Sequence, residues 1–101
     1  MMKNLYAVRD DLIMDMAAPF VAESDVKALQ LLVLEYNAKK KEFNDGKSYL
    51  DPDTQLSTST LYCLGSIDDG NIEHFRVPIC KMSDLVQKYE NLLLDFSKEN
   101  N

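Results

Sequence analysis

The sequence predicts an α+β fold: a four-stranded, mainly antiparallel sheet with two helices on one face. Three observations predict it. Short apolar runs of strand length occur in pairs, two longer runs carry apolar residues at helical spacing, and one order of elements (strand, strand, proline, cap, helix) occurs twice in 101 residues.

Leu5-Tyr6-Ala7-Val8 is short, apolar and bounded by Arg9-Asp10-Asp11, so it reads as the first strand, with Asp10-Asp11 as a turn. Leu12 to Ala18 reads as the second strand. Met14, Met16 and Ala18 fall on one face, with Ile13, Asp15 and Ala17 on the other. Pro19 cannot donate to a ladder and closes that strand. Ser24 then offers a helix cap, and Asp25 places negative charge where the helix dipole favours it. The helix spans about Asp25 to about Phe43, with Ala28, Leu29, Leu32, Val33 and Tyr36 at helical spacing. Leu31 and Leu34 lie off that stripe. They widen the apolar surface beyond what a one-sided helix needs, which predicts a partner or a homodimer contact there.

Residues 45–59 read as a loop, with Asp45-Gly46, Asp51-Pro52 and the start of a Ser/Thr-rich stretch. Leu61-Tyr62-Cys63-Leu64 is the third strand. Asp68-Asp69-Gly70-Asn71 is a hairpin turn signal. Ile72 to Val77 is the fourth strand, with Glu73, Phe75 and Val77 on one face and His74 and Arg76 on the other, and Pro78 ends it. Ser83 caps the second helix with Asp84 behind it. Leu85, Tyr89, Leu92, Leu93 and Phe96 form its apolar stripe, and the polar tail from Ser97 to Asn101 frays.

The chain reads as a single domain, 1–101, made of halves 1–44 and 60–98 joined by the loop 45–59. Leu5-Tyr6 opens one half and Leu61-Tyr62 the other. Pro19 precedes Ser24-Asp25 at the same spacing at which Pro78 precedes Ser83-Asp84. With those prolines aligned, Met16 matches Phe75, Ala18 matches Val77 and Val26 matches Leu85. A lone strand–strand–helix unit cannot bury its apolar faces, whereas two can share a sheet. The expected topology is a pseudo-duplicated ββαββα, a ferredoxin-like plan with its last strand moved to the front. It leaves one sheet face to solvent or a partner.

Hydrophobic residues make up 46% of the chain, too many for disorder. No apolar run reaches the roughly 20 residues that span a bilayer, and the N-terminus lacks a secretory apolar core, so a cytosolic protein is expected. Cys63 and Cys80 are flanked by apolar residues and read as reduced core residues. No P-loop, dinucleotide fingerprint, calcium-loop spacing or His/Cys metal pattern occurs, and His74 is the one imidazole. The expectation is a protein that is no enzyme and takes no cofactor. The net charge of −6 argues against strong autonomous nucleic-acid binding.

Local patterns remain. Lys39-Lys40-Lys41, extended by Lys47, is the dense basic cluster. It reads first as a complement to the helix C-terminal dipole, and alternatively as a phosphate patch. On the outer sheet face, Arg76 and Arg9 with Tyr6 or Tyr62 could stack bases and hold a backbone.

These residues together resemble the small nonstructural protein of gokushovirus-type microviruses, icosahedral phages with circular single-stranded DNA. The resemblance rests on Leu5-Tyr6-Ala7-Val8-Arg9-Asp10, Ala18-Pro19-Phe20 and Ser24-Asp25 with Ala28. It continues in Asp51-Pro52-Asp53, Leu61-Tyr62-Cys63-Leu64-Gly65-Ser66-Ile67-Asp68 and Gly70-Asn71-Ile72. The chain departs from the family at Leu29-Gln30-Leu31, where members often carry Arg-x-Phe, at the shorter hairpin Asp68-Asp69-Gly70, and in its long final helix. The resemblance implies a non-virion protein in the cytoplasm of the bacterial host, one that helps switch replication from duplex copying to single-strand synthesis and packaging. The expected partners are single-stranded DNA or the replication-initiation complex, touched through Arg9, Lys39, Lys40, Lys41, Lys47, Tyr62 and Arg76. The rival expectation is an acidic, homodimeric module that binds a basic capsid, phage or host protein.

Overall fold

The computed structural model describes residues 2–99, and side chains as far as residue 95. It is α+β, with an open antiparallel sheet of five strands and three helices. In chain order these are β1 (Lys3–Asp10), β2 (Asp15–Met16), β3 (Phe20–Ala22), α1 (Asp25–Asn44), α2 (Pro52–Leu56), β4 (Ser59–Asp68), β5 (Asn71–Lys81), a 3-10 turn at Met82–Asp84 and α3 (Leu85–Glu99). Across the sheet, β2 and β3 both flank β1, β1 pairs with β4, and β4 pairs with β5.

Residues directly opposite one another on antiparallel strands share a face, and neighbours alternate. Tyr6 opposes Cys63 and Phe20, and Val8 opposes Leu61. These residues line the core face, where they meet Leu29 and Leu32 of α1, Leu56 of α2, and Leu85, Tyr89 and Leu92 of α3. All three helices therefore cover one face and leave the other open. Tyr6, Leu29, Leu61 and Leu85 are the largest fully buried side chains.

α1 forms where expected. The Ser24 hydroxyl accepts the Lys27 N–H at 3.2 Å. At the other end Gly46 sits at φ +74°, the Gly46 N–H donates to the Phe43 carbonyl and the Lys47 N–H to the Glu42 carbonyl, satisfying the last helix acceptors in a Schellman arrangement. The Tyr6 hydroxyl donates to Asp25 Oδ1 at 2.6 Å and accepts from Asn4 Nδ2, tying β1 to the start of the helix.

Several expectations are corrected. The second strand is broken: residues 11–14 form the turn, β2 has two residues, and β3 resumes after Pro19. Interrupted by a proline, it can serve only as an edge. The sheet accordingly joins the two hairpins through their first strands, β1 and β4. A ferredoxin-like sheet permuted as expected would place the second strands in the middle. Pro78 does not end its strand; β5 continues to Lys81. It is tolerated because β5 is an edge and Pro78 sits beside a register shift. The loop 45–59 contains α2, whose start is Asp51 accepting the Asp53 N–H, with Pro52 in the first turn. Ser83 is no cap, because the chain reaches α3 through a 3-10 turn that buries Met82. α3 runs on to Glu99, Asn100 and Asn101 of the expected frayed tail lie outside the described residues, and so does the Phe96 side chain.

The two Leu-Tyr openings are out of phase. Tyr6 is buried on the core face and Leu5 lies on the open one. In β4 it is Leu61 that is buried, and Tyr62, opposite Ala7, lies on the open face.

Candidate functional site: the open sheet face and the cleft behind it

Three of the expected contact residues meet on the open face. Arg9 opposes Thr60, Tyr62 opposes Ala7 and Pro78, and Arg76 lies two residues from Pro78 on the same side of β5. The Arg76 guanidinium lies over the Tyr62 ring, 4.8 Å from its centroid. Arg9 is held at 3.0 Å by Asp11, whose other carboxylate oxygen accepts the Thr60 hydroxyl. His74, opposite Gly65, falls on the same face. Arg76 itself is exposed.

The lysines do not join them. They belong to α1 and the turn at its C-terminal end, behind the core face. Lys39 pairs with Glu35 at 2.7 Å, and Lys40 with Asp53 at 2.7 Å and Asp51 at 3.3 Å. Lys41 and Lys47 are exposed. The Tyr36 hydroxyl also donates to Asp53, so Tyr36, Lys40, Asp51 and Asp53 form one network tying α2 to α1. The hydrogen bond to Lys40 lowers the Asp53 pKa, and Asp53 in turn raises those of Lys40 and Tyr36. Asp51-Pro52-Asp53 forms the capped first turn of α2 and holds Lys40. Among the described residues no group of three His, Cys, Asp or Glu is arranged to hold a metal. Cys63 and Cys80 are free thiols whose pKa burial raises, and neither is activated as a nucleophile.

Leu31 and Leu34 stand exposed on α1, as their off-stripe positions require.

Sequence reasoning missed one feature, a cleft of about 480 Å³ behind the core face. Val8, Phe20, Leu32, Leu56 and Met82 wall it, and the β1–β2 hairpin closes one side with Ile13. Asp10, Asp15, Glu35 and Lys39 also line it, the last two paired with each other. The signal was present in the pattern Asp-Asp-Leu-Ile-Met-Asp at positions 10–15, an apolar triplet between acids. Its alternation reads equally well as a strand.

Among the described residues, no helix is long and apolar enough to cross a membrane. Comparison with known proteins finds no matching family model, no matching curated protein and no matching solved structure.

Proposed function

We propose that this protein is a non-enzymatic docking protein of a small single-stranded DNA phage. It acts in the cytoplasm of the bacterial host, touches single-stranded DNA within the replication complex through its open sheet face, and helps turn replication towards single-strand synthesis and packaging. The phage assignment rests on the sequence resemblance. The observation that carries the DNA contact is the meeting of Arg9, Tyr62 and Arg76 on a face no helix covers, with the guanidinium carbon over the ring, 4.8 Å from its centroid. A base can stack on such an exposed group, Arg76 can hold a phosphate, and Arg9 can do so by exchanging the exposed Asp11 carboxylate for one.

Contact through two arginines is weak and only modestly salt-dependent. Titration of a labelled oligothymidine should give a slope of about −1.4 in log K against log salt, from about −0.7 for each phosphate on a single strand. Arg76→Ala should abolish binding, while Lys40→Ala, which removes a lysine held by Asp51 and Asp53, should leave it unchanged. No binding at low salt, or equal loss in both variants, overturns the DNA contact.

A second reading is favoured by a separate observation. In a chain of net charge −6, Lys39 and Lys40 are paired, and Asp10 and Asp15 line an otherwise largely apolar cleft. On this reading the protein binds a basic phage or host protein and does not touch DNA.

A further inference from the structure

The β1–β2 hairpin gathers three features that each work against the stability of the isolated fold. Leu12, Ile13 and Met14 form its tip and are 76%, 66% and 74% exposed. Three consecutive exposed apolar residues are unfavourable in a protein surface unless something covers them. Met14 adopts φ +56°, a left-handed conformation that turns usually assign to Gly or Asn. Asp10 and Asp15 face one another directly across the strands, a like-charge pair that weakens a sheet. Costly local features that persist together at one place point to use there.

The hairpin stands at the mouth of the cleft. Ile13 lines it, and so do both members of the aspartate pair. Of the carboxylates there, Glu35 is paired with Lys39, and Asp10 accepts the Leu12 N–H at 3.0 Å. Asp15 is exposed on an edge and has no cationic partner among the described residues. An occupant that brings apolar side chains to Val8, Phe20, Leu32 and Leu56, and a positive charge to Asp10 and Asp15, would cover Ile13 of the tip and relieve the repulsion together.

We propose that the cleft between the β1–β2 hairpin and helices α1 and α2 is the docking site of a basic, amphipathic polypeptide segment, with Asp10 and Asp15 receiving its cations. Charge selects this occupant. A second copy of the chain would bring its own net charge of −6 and, at its matching tip, Asp10, Asp11 and Asp15. A nucleic acid would bring phosphates to the same carboxylates. The cleft volume lies within the roughly 300–1,000 Å³ of pockets that enclose small molecules, so it has room for part of a segment's side chains. The inference rests on the second functional reading and gives it a place and a ligand chemistry.

The test titrates the isotope-labelled full-length protein with a synthetic helix-forming peptide of lysine and leucine, followed by NMR. Two control peptides replace every lysine by glutamate or every leucine by serine. The lysine–leucine peptide should bind and shift the amides of Val8, Ile13, Asp15, Leu32 and Leu56, and both controls should fail. Asp15→Lys and Ile13→Ser change exposed side chains, so the fold survives them, as an otherwise unchanged spectrum verifies. Each should weaken binding about tenfold. Binding that shifts the Leu31–Leu34 face of α1 or the open sheet face overturns the site and leaves the protein-docking reading standing. No binding of any basic peptide overturns both. Light scattering that finds a dimer dissolved by Ile13→Ser overturns the basic occupant in favour of a second copy.

Discussion

The two hairpins of this sheet were expected to be copies, and their tips are opposites. β4 and β5 turn through Asp69 at φ +46° and Gly70 at φ +84°, the residue pair that a tight two-residue turn selects. That tip is polar. The β1–β2 tip puts a methionine in the left-handed region, exposes three large apolar residues and sets two aspartates face to face. The β4–β5 tip has the residues that folding alone selects. The other keeps features that folding alone would remove. On the docking proposal, the difference separates the part of the molecule that builds the scaffold from the part kept for a partner.

The comparison can be broken most forcefully at the relaxed hairpin. Gly65 in β4 is packed so closely that an added Cβ would collide with the Glu73 carbonyl oxygen of β5. That atom is backbone and cannot swing aside. Gly65→Ala should cost about 2 kcal/mol in a denaturant titration, the range of an overpacked core. Its amide shifts should centre on β4 and β5 and spare the β1–β2 tip. A neutral result would mean that the second hairpin is looser than its geometry.

A smaller effect is expected where the first half is fastened. Tyr6→Phe removes the hydroxyl between Asn4 and Asp25 and should cost about 1.5 kcal/mol. Burial first, and then the bond to Asp25, raises the Tyr6 pKa well above its ordinary value. As pH rises through about 10, the unfolded chain loses this proton and the folded protein keeps it. The stabilisation is complete below that pH and declines above it, towards the raised folded value. Stability profiles of the two proteins should converge at alkaline pH. Parallel profiles would remove Tyr6 from the account.

Much of this scaffold was legible in the residues. The Ser24 cap, the stripe from Ala28 to Tyr36, the Asp69-Gly70 turn and the facing of His74 and Arg76 are local signals, and each element obeyed its own. The features that were not legible depended on neighbours. Pro78 sits inside β5 because β5 is an edge with a register shift beside it, and neither property belongs to the proline. The Leu-Tyr repeats exchange faces because the register of β1 on β4, which shifts between Leu5 and Tyr6, pairs Tyr6 with Cys63 and Ala7 with Tyr62. Lys39 and Lys40 read as a basic patch until Glu35, Asp51 and Asp53 arrive beside them. The cleft requires the β1–β2 hairpin, α1 and α2 to converge, and the apolar triplet between acids at positions 10–15 marks only its hairpin side.

The most direct measurement of the contrast between the hairpins is the unfolding free energy of the double variant Met14→Gly, Asp15→Asn. Glycine relieves about 1 kcal/mol of left-handed backbone cost, and the lost charge relieves about 0.5 kcal/mol of cross-strand repulsion. The account predicts a protein more stable than the parent by about that sum, with the charge contribution fading as salt is raised. A variant less stable than the parent would mean that the β1–β2 tip serves the fold itself, and the reading of it as a surface kept for a partner would be wrong.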